Sequence, residues 1–251
     1  MLQDKTILVT GATSGIGAAT AEACAQEGAR LVLTGRNAGA GEELCARLDG
    51  SGHCFLPADL GQRDEAQGLI ERAVEKAGRL DGLVNNAGGV HHASVPDTDD
   101  ECWDDTLNVN LSAVFYLCRE AIPHMTGQGG GVIVNVASTW GLVGAERSAA
   151  YCATKGAVIQ LTRSMALDHA RDGVRVNAVA PGAVHTPMLA SEAAAFGLSA
   201  EQGRELWSAD APTRSLASAS HIADAIVFLL SEKSAHIHGT VLPVDGGSLA
   251  G

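Results

Sequence analysis

Aromatic residues and basic residues are both scarce in this chain of 251 residues. Phe, Trp and Tyr make up 4 % of positions, and 17 Lys and Arg face 29 Asp and Glu, which gives a formal net charge of −12. That balance argues against the basic patches through which proteins bind nucleic acid or anionic membranes. No apolar run approaches the roughly 18 residues of a membrane-spanning helix, and the first residues lack the apolar region of a signal peptide. We therefore expect a protein with no nucleic-acid partner and no membrane partner.

Cysteine pairs with metal-binding or redox spacing are also missing. The six cysteines include no C-x-x-C pair and no spacing typical of metal ligands. Most of them fall in predicted helices or strands, where a free cysteine behaves as a small buried hydrophobe. We therefore expect no metal site, and a reducing, cytoplasmic compartment suits these thiols. The cysteines are Cys24, Cys45, Cys54, Cys102, Cys118 and Cys152.

Hydrophobic residues make up 46 % of the chain, and short β-branched runs alternate with helical patterns from end to end. Such alternation predicts a parallel sheet covered by helices on both faces. No linker, repeat or low-complexity segment divides the chain, so we expect a single α/β domain over residues 1–251. Residues 185 to about 215 have a mixed composition that is typical of a substrate lid or small helical insertion. Strands are predicted at 5–10, 30–34, 53–56, 83–84, 131–137, 175–179 and 240–244, and helices before Gly28, at 42–48, 65–77, 100–125, from about 149 and at 222–230.

A glycine-rich turn follows the first predicted strand. Its sequence from Thr10 to Gly17 is Thr-Gly-Ala-Thr-Ser-Gly-Ile-Gly, so its glycines are spaced G-x-x-x-G-x-G rather than G-x-G-x-x-G. Glycines let a backbone approach a ligand closely, and the N-terminus of the following helix favours a pyrophosphate. A glycine turn between a strand and a helix can also be purely structural. Its place at the first β–α junction favours the interpretation as a cofactor site.

A hydroxyl, a phenol and an ammonium are predicted to meet after the fifth strand. Ser138 follows the strand at 131–137, at the end where ligands bind in open α/β sheets. Tyr151 and Lys155 are four residues apart, so they share one face of the helix that begins near residue 149. One charge about 4 Å away, at an effective dielectric near 20, supplies the roughly 4 kcal/mol that would lower a tyrosine pKa to about 7. The three groups could then hand a proton to a carbonyl oxygen; a chance Tyr-x-x-x-Lys turn on the surface is the plain alternative.

Asn110 falls inside the long helical pattern at 100–125. Asparagine favours caps and turns over helix interiors, so its position in the middle of a predicted helix needs an explanation. Two reasons are open at this point. The side chain either forms hydrogen bonds in the core, or it bends the helix at a functional site.

With these residues the chain resembles the short-chain dehydrogenase/reductase family, and within it the branch similar to 3-oxoacyl-carrier-protein reductase. The likeness covers nearly all of the chain. It implies a Rossmann-type, doubly wound parallel sheet of about seven strands. It also implies an NAD(P)-dependent oxidoreductase that interconverts a secondary alcohol and a ketone by hydride transfer. The motifs that carry the likeness are Thr10-Gly11-x-x-x-Gly15-x-Gly17, Asn85-Asn86-Ala87-Gly88, Asn110, Ser138, Tyr151-x-x-x-Lys155, and Pro181-Gly182 with Thr186.

The resemblance implies a role for each matching position. Tyr151 would be the general acid in reduction and the general base in oxidation, and Ser138 would hydrogen-bond the substrate oxygen. Lys155 would hold the nicotinamide ribose and lower the pKa of Tyr151. Asn110 would anchor a water molecule in the proton relay. The positions implied to contact the cofactor are Gly11, Thr13, Ser14, Gly15, Ile16, Gly17, Arg36, Asp59, Leu60, Asn86, Ala87, Gly88, Tyr151, Lys155, Pro181, Gly182, Val184 and Thr186.

The end of the second strand indicates which dinucleotide binds, because dinucleotide folds read the ribose 2′ position there. An acidic residue at that point would accept a hydrogen bond from the 2′-hydroxyl of NAD. This chain has Gly35 at the position that resembles the acidic one, and Arg36 beside it. Gly35 removes the repulsion of a 2′-phosphate, and the guanidinium of Arg36 can pair with that phosphate. The sequence therefore favours NADP over NAD, although an Arg36 that lies along the adenine would serve either cofactor.

The substrate is expected to be a small-molecule alcohol or ketone. His92, Trp140 and Met188 are candidate contacts in its pocket, with surface exposure or plain packing as the alternatives. The family resemblance further suggests a homotetramer in which the helices around Asn110 and Lys155 pack between subunits.

Two other functions could be built on a similar fold. A cofactor-binding regulator or scaffold would need no general acid, so the intact set of Ser138, Tyr151 and Lys155 argues against it. A sugar-nucleotide epimerase or dehydratase would share the Tyr-Lys pair. The short chain and the spacing of the glycines argue against that second alternative.

Overall fold

The computed structural model describes residues 1–250, and these contain a seven-stranded sheet and a small two-stranded one. In chain order the strands are β1 (Thr6–Thr10), β2 (Arg30–Gly35), β3 (Cys54–Pro57), β4 (Gly82–Asn85), β5 (Gly131–Val136), β6 (Val174–Pro181), β7 (Val184–His185), β8 (Ala217–Ser218) and β9 (Val241–Val244). The large sheet has the order β3-β2-β1-β4-β5-β6-β9 with every neighbouring pair parallel, which confirms the predicted Rossmann-type sheet. The sequence did not predict the β7–β8 pair, because strands of two residues carry no readable alternation.

Two of the predicted helices are interrupted in the structure. The pattern at 65–77 is split because Gly68 takes a left-handed conformation with φ 80°. The pattern at 100–125 is split by a π-helical turn at Asn108–Ser112. None of the helices in the described part of the chain is long and apolar enough to cross a membrane. The α-helices are α1 (Gly15–Gln26), α2 (Ala38–Arg47), α3 (Arg63–Ala66), α4 (Leu69–Ala77), α5 (Asp100–Leu107), α6 (Ala113–Gly127), α7 (Ala149–His169), α8 (Pro187–Ala195), α9 (Ala200–Asp210) and α10 (Ala219–Leu230).

The large sheet is buried on both faces, because successive strand residues point into two separate cores. Leu8 packs in the core that includes α4, α6 and α7. Its neighbours Ile7 and Val9 pack in the core that includes α1 and α10. A strand that is buried on both faces reads as a continuous apolar run, which is why β1 shows no polar alternation.

The strand order reverses at β1, where β2 lies on one side and β4 on the other. Open α/β sheets bind ligands at the carboxyl ends of the strands beside such a reversal. β1 ends at Thr10, β4 ends at Asn85 and β5 ends at Val136, all at the same edge of the parallel sheet. The loops that follow these three strands therefore converge on one site.

All six cysteines are free. Cys24 and Cys118 are buried as predicted, and burial raises the pKa of each thiol to about 12. The other four are only partly buried, which corrects the expectation for them. They are Cys45, Cys54, Cys102 and Cys152.

Gly17, in the first turn of α1, packs directly against the glycine turn. A Cβ at this position would overlap the carbonyl oxygen of Gly11 and lie 2.6 Å from Asn86 Nδ2. We predict that Gly17→Ala lowers the free energy of unfolding by about 1–3 kcal/mol, because backbone must shift to make room. At the control position, Gly127, a Cβ meets nothing within 4 Å, so we expect Gly127→Ala to be neutral or stabilising. Urea unfolding measures both; equal stabilities of the two variants would contradict the close packing of α1.

Candidate active site

Lys155 is buried at the carboxyl end of β5. The residue is 5 % exposed, and Nζ donates a hydrogen bond to the backbone carbonyl of Val136 at 2.8 Å. Desolvation disfavours the charged form, so burial lowers the pKa of this ammonium to about 8. Gly88 leaves room beside it, since a Cβ there would lie 3.5 Å from Nζ. The ammonium of Lys155 is therefore a buried cation whose proton is easily released.

Tyr151 lies one helical turn before Lys155 on α7, and Lys155 Nζ is 5.6 Å from the centre of its ring. Burial raises the pKa of the phenol to about 12, and a hydrogen bond with the Ser138 hydroxyl offsets part of that rise. The predicted pKa near 7 is therefore wrong for this structure. That prediction set one positive charge against an ordinary tyrosine and left out the cost of ionising a buried phenol. Tyr151 is a neutral proton donor throughout the physiological pH range.

Ser138 follows β5 as the N-cap of a short 3-10 helix, Thr139–Gly141. Its Oγ accepts a hydrogen bond from the backbone N–H of Trp140 at 3.1 Å. This contact fixes the side chain and leaves the hydroxyl proton available, because a serine hydroxyl can accept and donate at once. Ser138 can therefore donate to an oxygen atom that is held against Tyr151.

Asn110 is 1 % exposed and lies in the π-helical turn at Asn108–Ser112. Its Oδ1 accepts from the N–H of Gly89 at 2.9 Å, and its Nδ2 donates to the carbonyl of Gly89 at 2.8 Å. Nδ2 also lies 3.4 Å from Oγ1 of Thr154 on α7. The first of the two reasons is observed, since Asn110 forms buried hydrogen bonds. The helix also departs from α-helical geometry around this residue. Asn110 ties the loop after β4 to the helix that carries the tyrosine and the lysine.

The glycine turn between β1 and α1 lies at the same edge of the sheet. Gly11 and Gly15 have φ of 61° and 53°, a conformation that residues with a side chain rarely adopt. Ser14 precedes α1 without a side-chain capping bond, so the N–H groups of the first turn have no side-chain partner there. These groups fit the pyrophosphate of a dinucleotide. Of the other residues predicted here, Thr13 lies in the same turn, and Ile16 and Gly17 lie in the first turn of α1.

The turn after β4 is held against the glycine turn by Thr10. The hydroxyl oxygen of Thr10 accepts from the N–H groups of Asn86 and Ala87 at 2.9 and 3.0 Å. Asn86 Nδ2 in turn donates to the carbonyl of Thr10 at 2.8 Å. The turn is therefore fixed beside the predicted pyrophosphate site, and Gly88 leads from it towards Lys155.

The other predicted cofactor positions extend along the same edge in two directions. On one side, Arg36 follows β2 with an exposed side chain, and within residues 1–250 its guanidinium makes no ion pair or hydrogen bond. Leu60 is buried nearby in the chain, and the carboxylate of Asp59 accepts from the N–H of Gly61 at 3.1 Å. On the other side, Thr186 approaches the glycine turn, since a Cβ on Gly15 would lie 3.3 Å from it. Pro181 ends β6, Gly182 follows it, and Val184 begins β7, two residues before that threonine.

A metal centre is not among the arrangements found. In the described part of the chain, no group of three or more His, Cys, Asp or Glu side chains is placed to hold a metal ion.

The sequence predicts His92, Trp140 and Met188 as substrate contacts, and the structure brings them to one region. His92 and Met188 line a cavity of about 440 Å³. The indole of Trp140 lies edge-on to His92, at 6.1 Å between ring centres, and edge-on to Tyr151, at 6.0 Å. Trp140 thus connects the cavity to the phenol. The alternative of simple exposure fails for His92, whose side chain is 3 % exposed.

Glu192 also lines this cavity, and the sequence analysis missed it. Its side chain is 13 % exposed, and burial raises the pKa of its carboxyl group to about 7. The sequence contains a feature that could have indicated it. Glu192 is the one charged residue in the α8 sequence Pro-Met-Leu-Ala-Ser-Glu-Ala-Ala-Ala. It also follows Met188 by one helical turn, which places the two on the same face.

Comparison with known proteins identifies relatives over almost the whole chain. A family model described as Enoyl-(Acyl carrier protein) reductase matches residues 11–248. The chain is 38 % identical to 2-(S)-hydroxypropyl-CoM dehydrogenase 3 of Xanthobacter autotrophicus, over 99 % of this chain and 98 % of that protein. It is 36 % identical to cyclopentanol dehydrogenase of Comamonas sp., again over 99 % and 98 %. The aldohexose dehydrogenase of Thermoplasma acidophilum is similar in structure, with a TM-score of 0.91 and 30 % identity over 100 % of this chain and 96 % of that chain.

Proposed function

Because the chain belongs to the short-chain dehydrogenase/reductase family, we propose that Ser138, Tyr151 and Lys155 carry out its reaction. The reaction is the NAD(P)-dependent interconversion of a secondary alcohol and a ketone, as the relatives support. The observation that carries the assignment is a buried ammonium beside a phenol, at the sheet edge where the serine hydroxyl also lies. A cofactor-binding scaffold could use that ammonium to hold a ribose, but it would need no phenol beside it to act as a general acid.

In the reducing direction, Tyr151 gives its hydroxyl proton to the carbonyl oxygen of the substrate. Ser138 donates a hydrogen bond to the same oxygen, which fixes it against the phenol and stabilises the negative charge that develops there. The ammonium of Lys155 stabilises the phenolate that remains, since a nearby opposite charge favours the ionised form. A dinucleotide held in the cleft would supply the hydride chemistry in either direction. Asn110 holds the loop after β4 in place and is our candidate to anchor a relay water.

The cleft would hold the dinucleotide along the edge of the sheet. The N-terminus of α1 and the glycine turn would bind the pyrophosphate through backbone N–H groups. Lys155 would meet the nicotinamide ribose, and Thr186 the carboxamide. Asp59 and Leu60 would flank the adenine. Helices α8 and α9, which form most of the predicted lid, would close over the substrate and exclude water.

NADP is the cofactor that we favour. Gly35 carries no acidic group to repel a 2′-phosphate, and the exposed guanidinium of Arg36 follows it directly. A planar guanidinium pairs with phosphate through two parallel hydrogen bonds.

A homotetramer is the assembly that we favour. Trp103 on α5 and Phe115 on α6 are 42 % and 45 % exposed, and Leu167 on α7 is 83 % exposed. Large apolar side chains exposed on neighbouring helices are typical of a contact surface, and closed two-fold symmetry is its usual arrangement.

Loss of the phenolic hydroxyl should abolish proton transfer without disturbing the fold. We predict that Tyr151→Phe lowers kcat by at least about 100-fold while the dissociation constant of the cofactor stays nearly unchanged. Tyr116→Phe, at the other tyrosine of the chain, is the matched control and should keep full activity. Steady-state kinetics and fluorescence titration of the reduced cofactor measure both quantities. A Tyr151→Phe enzyme within a few-fold of the parent would exclude the assigned mechanism.

Removal of the guanidinium should change the choice of cofactor. We predict that the parent has the higher kcat/KM with NADP, and that Arg36→Ala lowers the NADP to NAD ratio by about tenfold or more, because charge-assisted contacts contribute about 1.5–3 kcal/mol. Arg47→Ala, an exposed arginine on α2 that pairs with Glu22, should leave the ratio unchanged. A parent that prefers NAD, or equal ratios in the parent and Arg36→Ala, would show that Arg36 does not bind a phosphate.

The assembly is tested by light scattering coupled to gel filtration. At micromolar concentration we predict the mass of four chains. We also predict that Phe115→Glu yields smaller species, because it places a charge in the apolar contact surface. A parent that elutes as a monomer would contradict the proposed assembly.

A further inference from the structure

His92 is a buried histidine whose two nitrogens are in different situations. Nδ1 lies 3.1 Å from Oγ of Ser148, whereas Nε2 is buried and has no hydrogen-bond partner within residues 1–250. The ring packs against Phe196, at 4.8 Å between ring centres, and against the edge of Trp140. A buried polar atom without a partner costs free energy, so Nε2 calls for a ligand that the site is built to accept.

The hydrogen-bond network around Nδ1 is the basis on which we assign the ring proton of His92. Ser148 is 1 % exposed, and its hydroxyl donates its one proton to the carbonyl of Glu146 at 3.1 Å. In that arrangement the hydroxyl accepts from His92, and this network assigns the proton of the neutral ring to Nδ1. Burial lowers the pKa of the His92 ring, and the nearby charge of Arg147 lowers it further, so the neutral form is favoured. Nε2 therefore presents a lone pair to the cavity.

The carboxyl group of Glu192 faces this lone pair. Its Oε2 is 3.6 Å from His92 Nε2, which is too far for a direct hydrogen bond. A hydroxyl oxygen beside this pair, about 2.8 Å from both atoms, would bridge them from one side, since a hydroxyl can donate and accept at the same time. Burial raises the pKa of Glu192 to about 7, so near neutral pH its carboxyl group is available both as a donor and as an acceptor.

We propose that His92 and Glu192 form the recognition site for a second hydroxyl group of the substrate, and that the enzyme prefers neutral diols, polyols and hydroxyketones. This inference rests on the proposed function, because it requires that the reacting alcohol lies between Tyr151 and the cavity. Glu192 is close enough to Tyr151 for its charge to act on the phenol, and Trp140 touches both His92 and Tyr151.

The same pair discriminates against two other classes of substrate. An alkyl chain in the cavity would leave both polar groups without partners. A carboxylate would bring its charge against Glu192 in a partly buried site, where like charges repel more strongly than in water. The guanidinium of Arg147 could offset this repulsion only if it faced the cavity. It stacks on Phe196 instead, 5.6 Å from the ring centre, and does not line the cavity.

Substrates that differ at one group test the proposal in the parent enzyme. One set is butan-2-ol, butane-1,3-diol and 3-hydroxybutyrate; a second is pentan-2-ol, pentane-1,4-diol and 4-hydroxypentanoate. Each set keeps the secondary alcohol and exchanges a methyl group for a hydroxymethyl or a carboxylate group. At pH 7, with both enantiomers and both cofactors, we expect kcat/KM for the diol to exceed that of the other two by about tenfold or more in at least one set.

Substitutions of Glu192 separate its hydrogen bond from its charge. Glu192→Leu removes both, so we expect the preference for the diol over the monoalcohol to fall to within about threefold. Glu192→Gln keeps a donor and an acceptor without the charge, so it should retain part of that preference and raise kcat/KM for the hydroxy acid. His92→Phe keeps an aromatic ring and should also lose the preference. Glu205→Leu, an exposed position on α9, is the matched control and should behave as the parent.

The outcomes distinguish this inference from the function on which it rests. Turnover of the monoalcohols with no preference for a diol in either set, or a preference for the hydroxy acid, would overturn the inference and leave the proposed function standing. A diol preference that survives both Glu192→Leu and His92→Phe would overturn it as well. No turnover of any of the six alcohols, or of the matching ketones, with either cofactor would overturn the proposed function and the inference with it.

Discussion

The ammonium of Lys155 is buried and hydrogen-bonded to the backbone carbonyl of Val136, and the rest of the site is arranged around that contact. A carboxylate partner would hold the proton firmly, whereas a carbonyl leaves much of the cost of desolvation in place. The residues that follow β5 permit this burial. Gly141 lets α7 approach the end of β5, because a Cβ at that position would lie 2.7 Å from the backbone of Lys155.

The phenol of Tyr151 lies between two groups that have opposite effects on its pKa. On the cofactor side, the cation of Lys155 favours the phenolate. On the substrate side, Glu192 adds to the rise in the pKa of the phenol that burial causes. A neutral phenol with a fixed hydroxyl beside it is suited to give a proton to a carbonyl oxygen. In the oxidising direction the same phenol must first lose its proton, and a positive charge nearby favours that loss.

Local patterns sufficed to predict the large sheet and the position of the serine after β5, because both depend on periodicity and on the order of elements. They failed at positions whose conformation, pKa or contacts depend on residues that are distant in the sequence. Gly68 breaks a helix that its apolar spacing favours, since its left-handed backbone lets the chain change direction. The pKa of Tyr151 was misjudged because burial is a property of the fold. Glu192 was missed because only the packing of α8 brings it to His92.

The pKa of Lys155 tests the account most directly. The chain has four lysines, Lys5, Lys76, Lys155 and Lys233, so protein labelled with ¹³C at the lysine ε-carbon gives a simple spectrum. The signal that is missing from Lys155→Met belongs to this residue and can be followed against pH without cofactor. We predict a midpoint near pH 8. A midpoint at 10.5, the ordinary value, would show that the ammonium is solvated and would contradict the buried cation on which the site depends.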